Sequence, residues 1–124
     1  MHELSICQAL ISQVEAVAVQ NDASRVVIVE IQLGPLSGVV GELLQQAYTV
    51  ASAGTIAEHS KLLIEHTPIR IHCESCGQDS DALSNRLVCA KCGDWKTRVI
   101  SGDELILAHV ELEKPVAEVS HLLH

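Results

Sequence analysis

A chain of 124 residues with a net charge of −8 makes one domain, or one with a small appendage, and offers a poor surface for nucleic-acid phosphates. Apolar residues are plentiful but include no Phe, so the core has to be aliphatic. No apolar run is long enough to span a membrane and nothing at the N-terminus looks secretory, which together point to the cytoplasm.

Residues 3 to about 20 predict an amphipathic helix, with Leu4, Cys7, Leu10 or Ile11, Val14 and Val17 or Ala18 on one stripe. Asn21 and Asp22 end it. Cys7 lies in the apolar stripe and reads as a small buried hydrophobe. Arg25 to Leu33 predicts a strand, with Val27, Val29, Ile31 and Leu33 on one face and Glu30 and Gln32 on the other. Gly34-Pro35 stops it. Ser37-Gly38 then opens a second helix, about 39 to 53, whose buried stripe is expected to be Val40, Leu43, Leu44, Ala47 and Val50 or Ala51, with Gly54 as its stop. Lys61 to about Thr67 returns as a strand with Leu62 and Ile64 on one side. Glu104 to Glu113 is another, with Ile106, Ala108, Val110 and Leu112 expected inward.

Between these last two strands lies the most informative stretch. Cys73-Glu-Ser-Cys76-Gly is followed after twelve residues by Cys89-Ala-Lys-Cys92-Gly. Four thiolates complete a tetrahedral zinc shell, leaving no open position for water or substrate, so such a metal is structural. Gly77 and Gly93 let the chain turn tightly, so amide N–H groups can point at the sulfurs. Two disulfides would need an oxidising compartment and would strand Cys7. A redox Cys-x-x-Cys needs one pair at a helix start. Iron could take the same sulfurs, but only Trp95 and Tyr48 could give it aromatic cover.

From His72 to Arg98 four acids (Glu74, Asp79, Asp81, Asp94) face four bases (Arg86, Lys91, Lys96, Arg98), and zinc with four thiolates adds two formal negative charges. The module should therefore not be a nucleic-acid reader. The element order predicts an α+β fold, with two helices packed on a small β-sheet and an inserted four-cysteine, zinc-ribbon-like module. That module would leave and re-enter the same sheet near Ile69–Ile71 and Val99–Gly102. The domains expected are residues 1–68 plus 103–115, a zinc-binding module at 69–102, and a flexible tail at 116–124.

Met1-His2-Glu3 is the other stretch with chemistry. Amine, imidazole and intervening amide nitrogens can close small chelate rings, and nitrogen-rich tetragonal sites suit Ni(II) or Cu(II). On the residues alone, the plainer reading is that Glu3 complements the positive end of the first helix and His2 is solvated.

The opening Met1-His2-Glu3-Leu4-Ser5 resembles that of the HypA/HybF family of nickel metallochaperones in [NiFe]-hydrogenase maturation. The likeness continues through Val29-Glu-Ile-Gln-Leu-Gly34, Leu36-Ser-Gly38, Gly54-Thr-Ile-Ala-Glu58, both cysteine knuckles and Ser101-Gly-Asp-Glu-Leu105, covering residues 1 to about 113. The resemblance implies a nickel-binding α+β part and a zinc-binding part. It implies His2 as principal Ni(II) ligand, with the Met1 amine, local amides and Glu3 contributing, and Cys73, Cys76, Cys89 and Cys92 as Zn(II) ligands. It also implies two partners, a HypB-type GTPase and the hydrogenase large-subunit precursor. The chain departs from the family at His59, where Gly is frequent; His tolerates a left-handed turn better than most residues. His121 and His124 have no counterpart in the family. His66, His72 and His109 read as packed or surface histidines, with His72 placed to support the cysteine cluster.

These readings converge on a metal-delivery protein and not an enzyme, since no nucleophile–base pair is evident. Neither nucleic acid nor membrane is expected as a partner, and the chain would be a monomer or homodimer. The competing classes are a zinc-ribbon adaptor for nucleic acid or transcription machinery, and a thiol redox protein.

Overall fold

The computed structural model describes residues 2–115; Met1 and the expected tail, 116–124 with His121 and His124, lie outside the described residues. The order is α1 (His2–Gln20), β1 (Arg25–Leu33), α2 (Gly41–Ser52), β2 (Lys61–His66), β3 (Ile69–Cys73), β4 (Asp79–Ala82), β5 (Thr97–Ser101) and β6 (Leu105–Glu113). The α+β class read from the sequence is the one found. Gln32–Val39 and Ile64–Ile106 make one compact unit, and the rest of the described chain makes the other.

In α1 the three- and four-residue spacing buries Cys7, Leu10, Ile11, Val14 and Ala18 on one side. The helix contains no Gly or Pro to interrupt it. At its end the Asn21 side chain donates to the Val17 carbonyl at 2.8 Å, satisfying a carbonyl that the helix leaves open. Asp22, at φ 53°, turns the chain away. Helices α1 and α2 pack together. Leu44 and Tyr48 of α2 are buried with the α1 stripe and with Val26, Val29 and Ile31 of β1 in a core without Phe.

The buried face of α2 differs from the expected one. Val40, Leu43 and Val50 are exposed, while Leu44, Tyr48 and Ser52 form the buried row at four-residue intervals. Tyr48 can be buried because its hydroxyl lies 2.6 Å from Ser60 Oγ, so its polar end is paired.

Strand β1 follows its alternation from Val29 through Ile31 to Leu33, all buried. Towards its start the phase shifts: Val26 is buried and Val27 only half-buried. Strand β6 corrects the reading further. Ile106 and Ala108 are exposed, Val110 and Leu112 are half-buried, and two adjacent exposed residues, Ala108 and His109, break the alternation.

The strands form two three-stranded sheets, ordered β2-β1-β6 and β4-β3-β5. The cysteine stretch is inserted between β2 and β6, which share the first sheet, but its flanking strands β3 and β5 pair in a second sheet where one sheet was expected. Strand β3 is antiparallel to β4 and to β5, with Cys73 opposite Thr97. At the base of this unit Gly34 meets Gly102. The Gly34 N–H donates to the Glu104 carbonyl at 2.9 Å, and the Leu36 N–H to the Gly102 carbonyl at 2.7 Å.

Candidate metal centre

Cys73 closes the inward face of β3, after Ile69 and Ile71 on the same side. Cys76 follows in the turn beyond the strand. The chain can double back there because Gly77 adopts φ 74°, and its N–H donates to the Cys73 carbonyl at 3.0 Å. The second pair repeats the device. Gly93, at φ 80°, donates to the Cys89 carbonyl at 2.8 Å. In each pair one sulfur residue is buried (Cys73, Cys89) and one exposed (Cys76, Cys92).

All four sulfurs lie within 4.8 Å of one another. Across the pairs, Cys73 with Cys92 and Cys76 with Cys89 are each 3.6 Å apart. A tetrahedron of sulfurs about 2.3 Å from a central zinc has edges of about 3.8 Å, so the cluster fits zinc. Separations of 3.6 Å also exclude disulfides across these pairs.

The surrounding amides agree. Cys76 N–H points at Cys73 Sγ (3.4 Å), and Lys91 and Cys92 N–H at Cys89 Sγ (3.3 and 3.4 Å). Such donors favour thiolate over thiol. The N–H groups of Cys92 and Lys91 hold the Cys89 thiol down at about 6. The Asp94 N–H favours the Cys92 thiolate, but the neighbouring sulfurs, Cys73 foremost, push that thiol up to about 12. Four adjacent thiols cannot all ionise side by side; a divalent cation removes the conflict.

His72, beside Cys73, pairs across the sheet with Asp79: its Nδ1 is 2.7 Å from Asp79 Oδ1. It is a cross-strand pair and does not join the four sulfurs. His66 and His109 are exposed. His59 is exposed in a left-handed turn at φ 69°, the conformation that His was expected to tolerate there.

The two described residues of the N-terminal stretch differ in exposure. The His2 side chain is 59% exposed on the first turn of α1. Glu3 is only 5% exposed. One of its oxygens accepts from the Val40 N–H at 3.4 Å and the other lies 3.9 Å from His2 Nδ1. Amides in the first turn have no acceptor four residues back, so the His2 N–H is not tied into the helical ladder. Cys7 is fully buried, its Sγ donates to the Leu44 carbonyl at 3.5 Å, and burial and the Glu3 charge push its thiol up to about 11. It packs as the sequence suggested.

Sequence reasoning missed the roles of three residues around the cysteines. Ser80, buried on β4, accepts from the Ala90 N–H at 3.1 Å, and Ser75 donates to the Asp94 carboxylate. For Ser75 and Asp94 the only signal was position, inside or just after a Cys-x-x-Cys-Gly turn.

The fold and this cluster define a class: a small α+β protein carrying a four-cysteine metal-binding module. Comparison with known proteins supplies the family. The family described as "Hydrogenase/urease nickel incorporation, metallochaperone, hypA" matches residues 1–112. "Hydrogenase maturation factor HypA" of Nitrosospira multiformis is 51% identical over 112 residues, covering 90% of this chain and 97% of its own. That of Aquifex aeolicus is 38% identical over 113 residues, covering 91% and 98%. The solution structure of the Ni metallochaperone HypA from Helicobacter pylori covers 93% of this chain and 100% of its own, with a TM-score of 0.67 and 23% identity, a likeness of fold. The chain belongs to the HypA family of hydrogenase maturation nickel metallochaperones.

Proposed function

We propose that this chain binds Ni(II) at its N-terminus and delivers it during [NiFe]-hydrogenase maturation, while its four cysteines hold a structural Zn(II). The observation that carries the reading is the match over residues 1–112, which includes both Met1-His2-Glu3 and the four cysteines.

The two sites would have different chemistry. Cys73, Cys76, Cys89 and Cys92 would hold zinc, which when bound neutralises thiolate charge and fixes the turns around it. His2, with the Met1 amine, local amides and Glu3, would hold nickel as cargo. The exposure of His2 supports easy exchange, which delivery requires, so nickel should bind far more weakly than zinc. The division of labour would follow residues 1–68 with 103–115 for nickel and 69–102 for zinc. The receiving partners would be a HypB-type GTPase and the large-subunit precursor.

No helix among the described residues is long and apolar enough to cross a membrane. The test is metal analysis of untagged protein with and without added nickel. One zinc per chain throughout, plus stoichiometric Ni(II) on addition, supports the proposal. Salt-dependent binding to DNA or RNA without nickel uptake would replace it with the adaptor reading.

A further inference from the structure

Each cysteine pair organises itself through its own amides, but the pairs come from segments separated by twelve residues. Something must hold one pair against the other. The β3–β5 ladder brings Cys73 opposite Thr97. One step beyond the strands, the Glu74 N–H still donates to the Lys96 carbonyl at 2.8 Å. One step further, where backbone pairing stops, the Ser75 hydroxyl donates to the Asp94 carboxylate. A side-chain bond thus extends the zipper up to the sulfurs.

Asp94 is the hub of this extension. Its carbonyl accepts from the Cys89 N–H at 2.9 Å. Its carboxylate takes Ser75, which lies between Cys73 and Cys76, and also the Lys96 N–H at 3.2 Å. One residue therefore touches the second pair at Cys89 and, through Ser75, the turn of the first. The nearby Arg98–Glu74 ion pair, at 3.3 Å, also links the segments, but both its side chains are more than half exposed and such pairs contribute little.

We infer that Asp94, acting through Ser75, is a positioning residue that holds the two cysteine pairs face to face and thereby sets how slowly the cluster lets its metal go. The inference rests on the reading that these four cysteines hold zinc. Release requires one pair to swing away from the other, and a charge-assisted bond across the gap has to break first.

The experiment loads the full chain with one zinc and follows zinc transfer to excess chromogenic chelator for wild type, Ser75→Ala, Ser75→Thr, Asp94→Ala and Glu74→Ala. Each is also loaded with Co(II) in place of zinc and its absorption spectrum recorded. Ser75→Ala and Asp94→Ala should release zinc about ten-fold faster, the low end for partners just outside a metal's ligands. Their Co(II) spectra should keep thiolate-to-metal bands but shift in the d–d region. Ser75→Thr, which keeps the hydroxyl, should restore wild-type rate and spectrum, and Glu74→Ala should leave both unchanged. Wild-type release rates in Ser75→Ala overturn the inference while leaving the zinc reading intact. Equal acceleration by Glu74→Ala also overturns it. A wild-type chain that holds no zinc overturns the zinc reading and the inference with it.

Discussion

The carboxylate of Glu3 lies 3.4 Å from the amide nitrogen of Val40, which caps α2. The start of α2 has no side-chain cap of its own. An anion held at that end, where unpaired N–H groups and the helix dipole are positive, supplies what the local sequence lacks. A residue read from sequence as belonging to the start of α1 thus also serves α2, and Glu3→Ala should lower Tm by roughly 2–5 °C. Glu3→Gln, which keeps an acceptor oxygen, should lose less, and zinc content should stay constant in both. An unchanged Tm in Glu3→Ala would show that this contact contributes nothing.

Replacing Cys73 or Cys92 by Ser should abolish zinc binding and disorder roughly residues 72–98. Among the described residues that stretch has few buried apolar side chains of its own, and structural zinc contributes on the order of 10 kcal/mol to such modules. A dispersed, native-like amide spectrum for these residues in a metal-free mutant would refute the expectation.

His2→Ala should keep fold and zinc and lose stoichiometric nickel binding, because His2 is largely exposed and packs little. A short Gly-Ser extension before Met1 should do the same, since it converts the amine into an amide. Metal competes with protons for both the amine and the imidazole, so nickel affinity should rise with pH. Calorimetry at several pH values tests all three statements; unchanged binding by the extended chain would remove the amine from the ligand set.

Glu104 gives a pH dependence of defined sign. The Gly102 N–H (2.8 Å) and then the Thr67 hydroxyl (2.7 Å) hold its carboxyl below the usual range. A depressed folded-state value means that the stabilisation is complete above the unfolded value, about 4.3, and fades as pH falls through the folded one. Glu104→Gln should therefore cost most Tm near about pH 7, and the gap to wild type should narrow below about pH 4. Comparing the two proteins at each pH cancels metal loss common to both. A gap that widens on acidification would contradict the assignment.

Gly34→Ala should destabilise the chain more than Glu3→Ala or Glu104→Gln. A methyl group there would sit 2.2 Å from the Gly102 carbonyl oxygen and 2.3 Å from its carbon. Both are backbone atoms in a hydrogen-bonded turn, so neither can rotate aside. The cost should be about 3 kcal/mol or more, read as a loss of roughly 10 °C in Tm. Wild-type stability in Gly34→Ala would mean that the two backbones can part here at little cost.

The cysteine pairs were legible because their spacing alone encodes the geometry, and Val29, Ile31 and Leu33 because a strand's two faces alternate in sequence. The outward turn of Val40, Leu43 and Val50 was not legible. Hydrophobicity ranks them above Tyr48 and Ser52, and only the Ser60 partner of Tyr48 reverses the order. Periodicity identifies a strand without naming its neighbour, which is why one sheet was expected where β3 and β5 pair in a second. The break at Ala108 and His109 leaves no compositional trace in a run of apolar residues. Ser75 and Asp94 meet across nineteen positions, and neither residue type announces a partner at that range.

Cys73 is both a member of the sulfur cluster and the last residue of β3, the central strand of its sheet. Ligand and strand end are thus one residue, so metal loss would fray this sheet from its middle and not from an edge. The amides of Ile71, His72 and Cys73 would then exchange with deuterium together, while those near Ile69, at the far end of the same strand, would follow later. Backbone exchange along five residues would read out the metal state of the cluster without any chromophore.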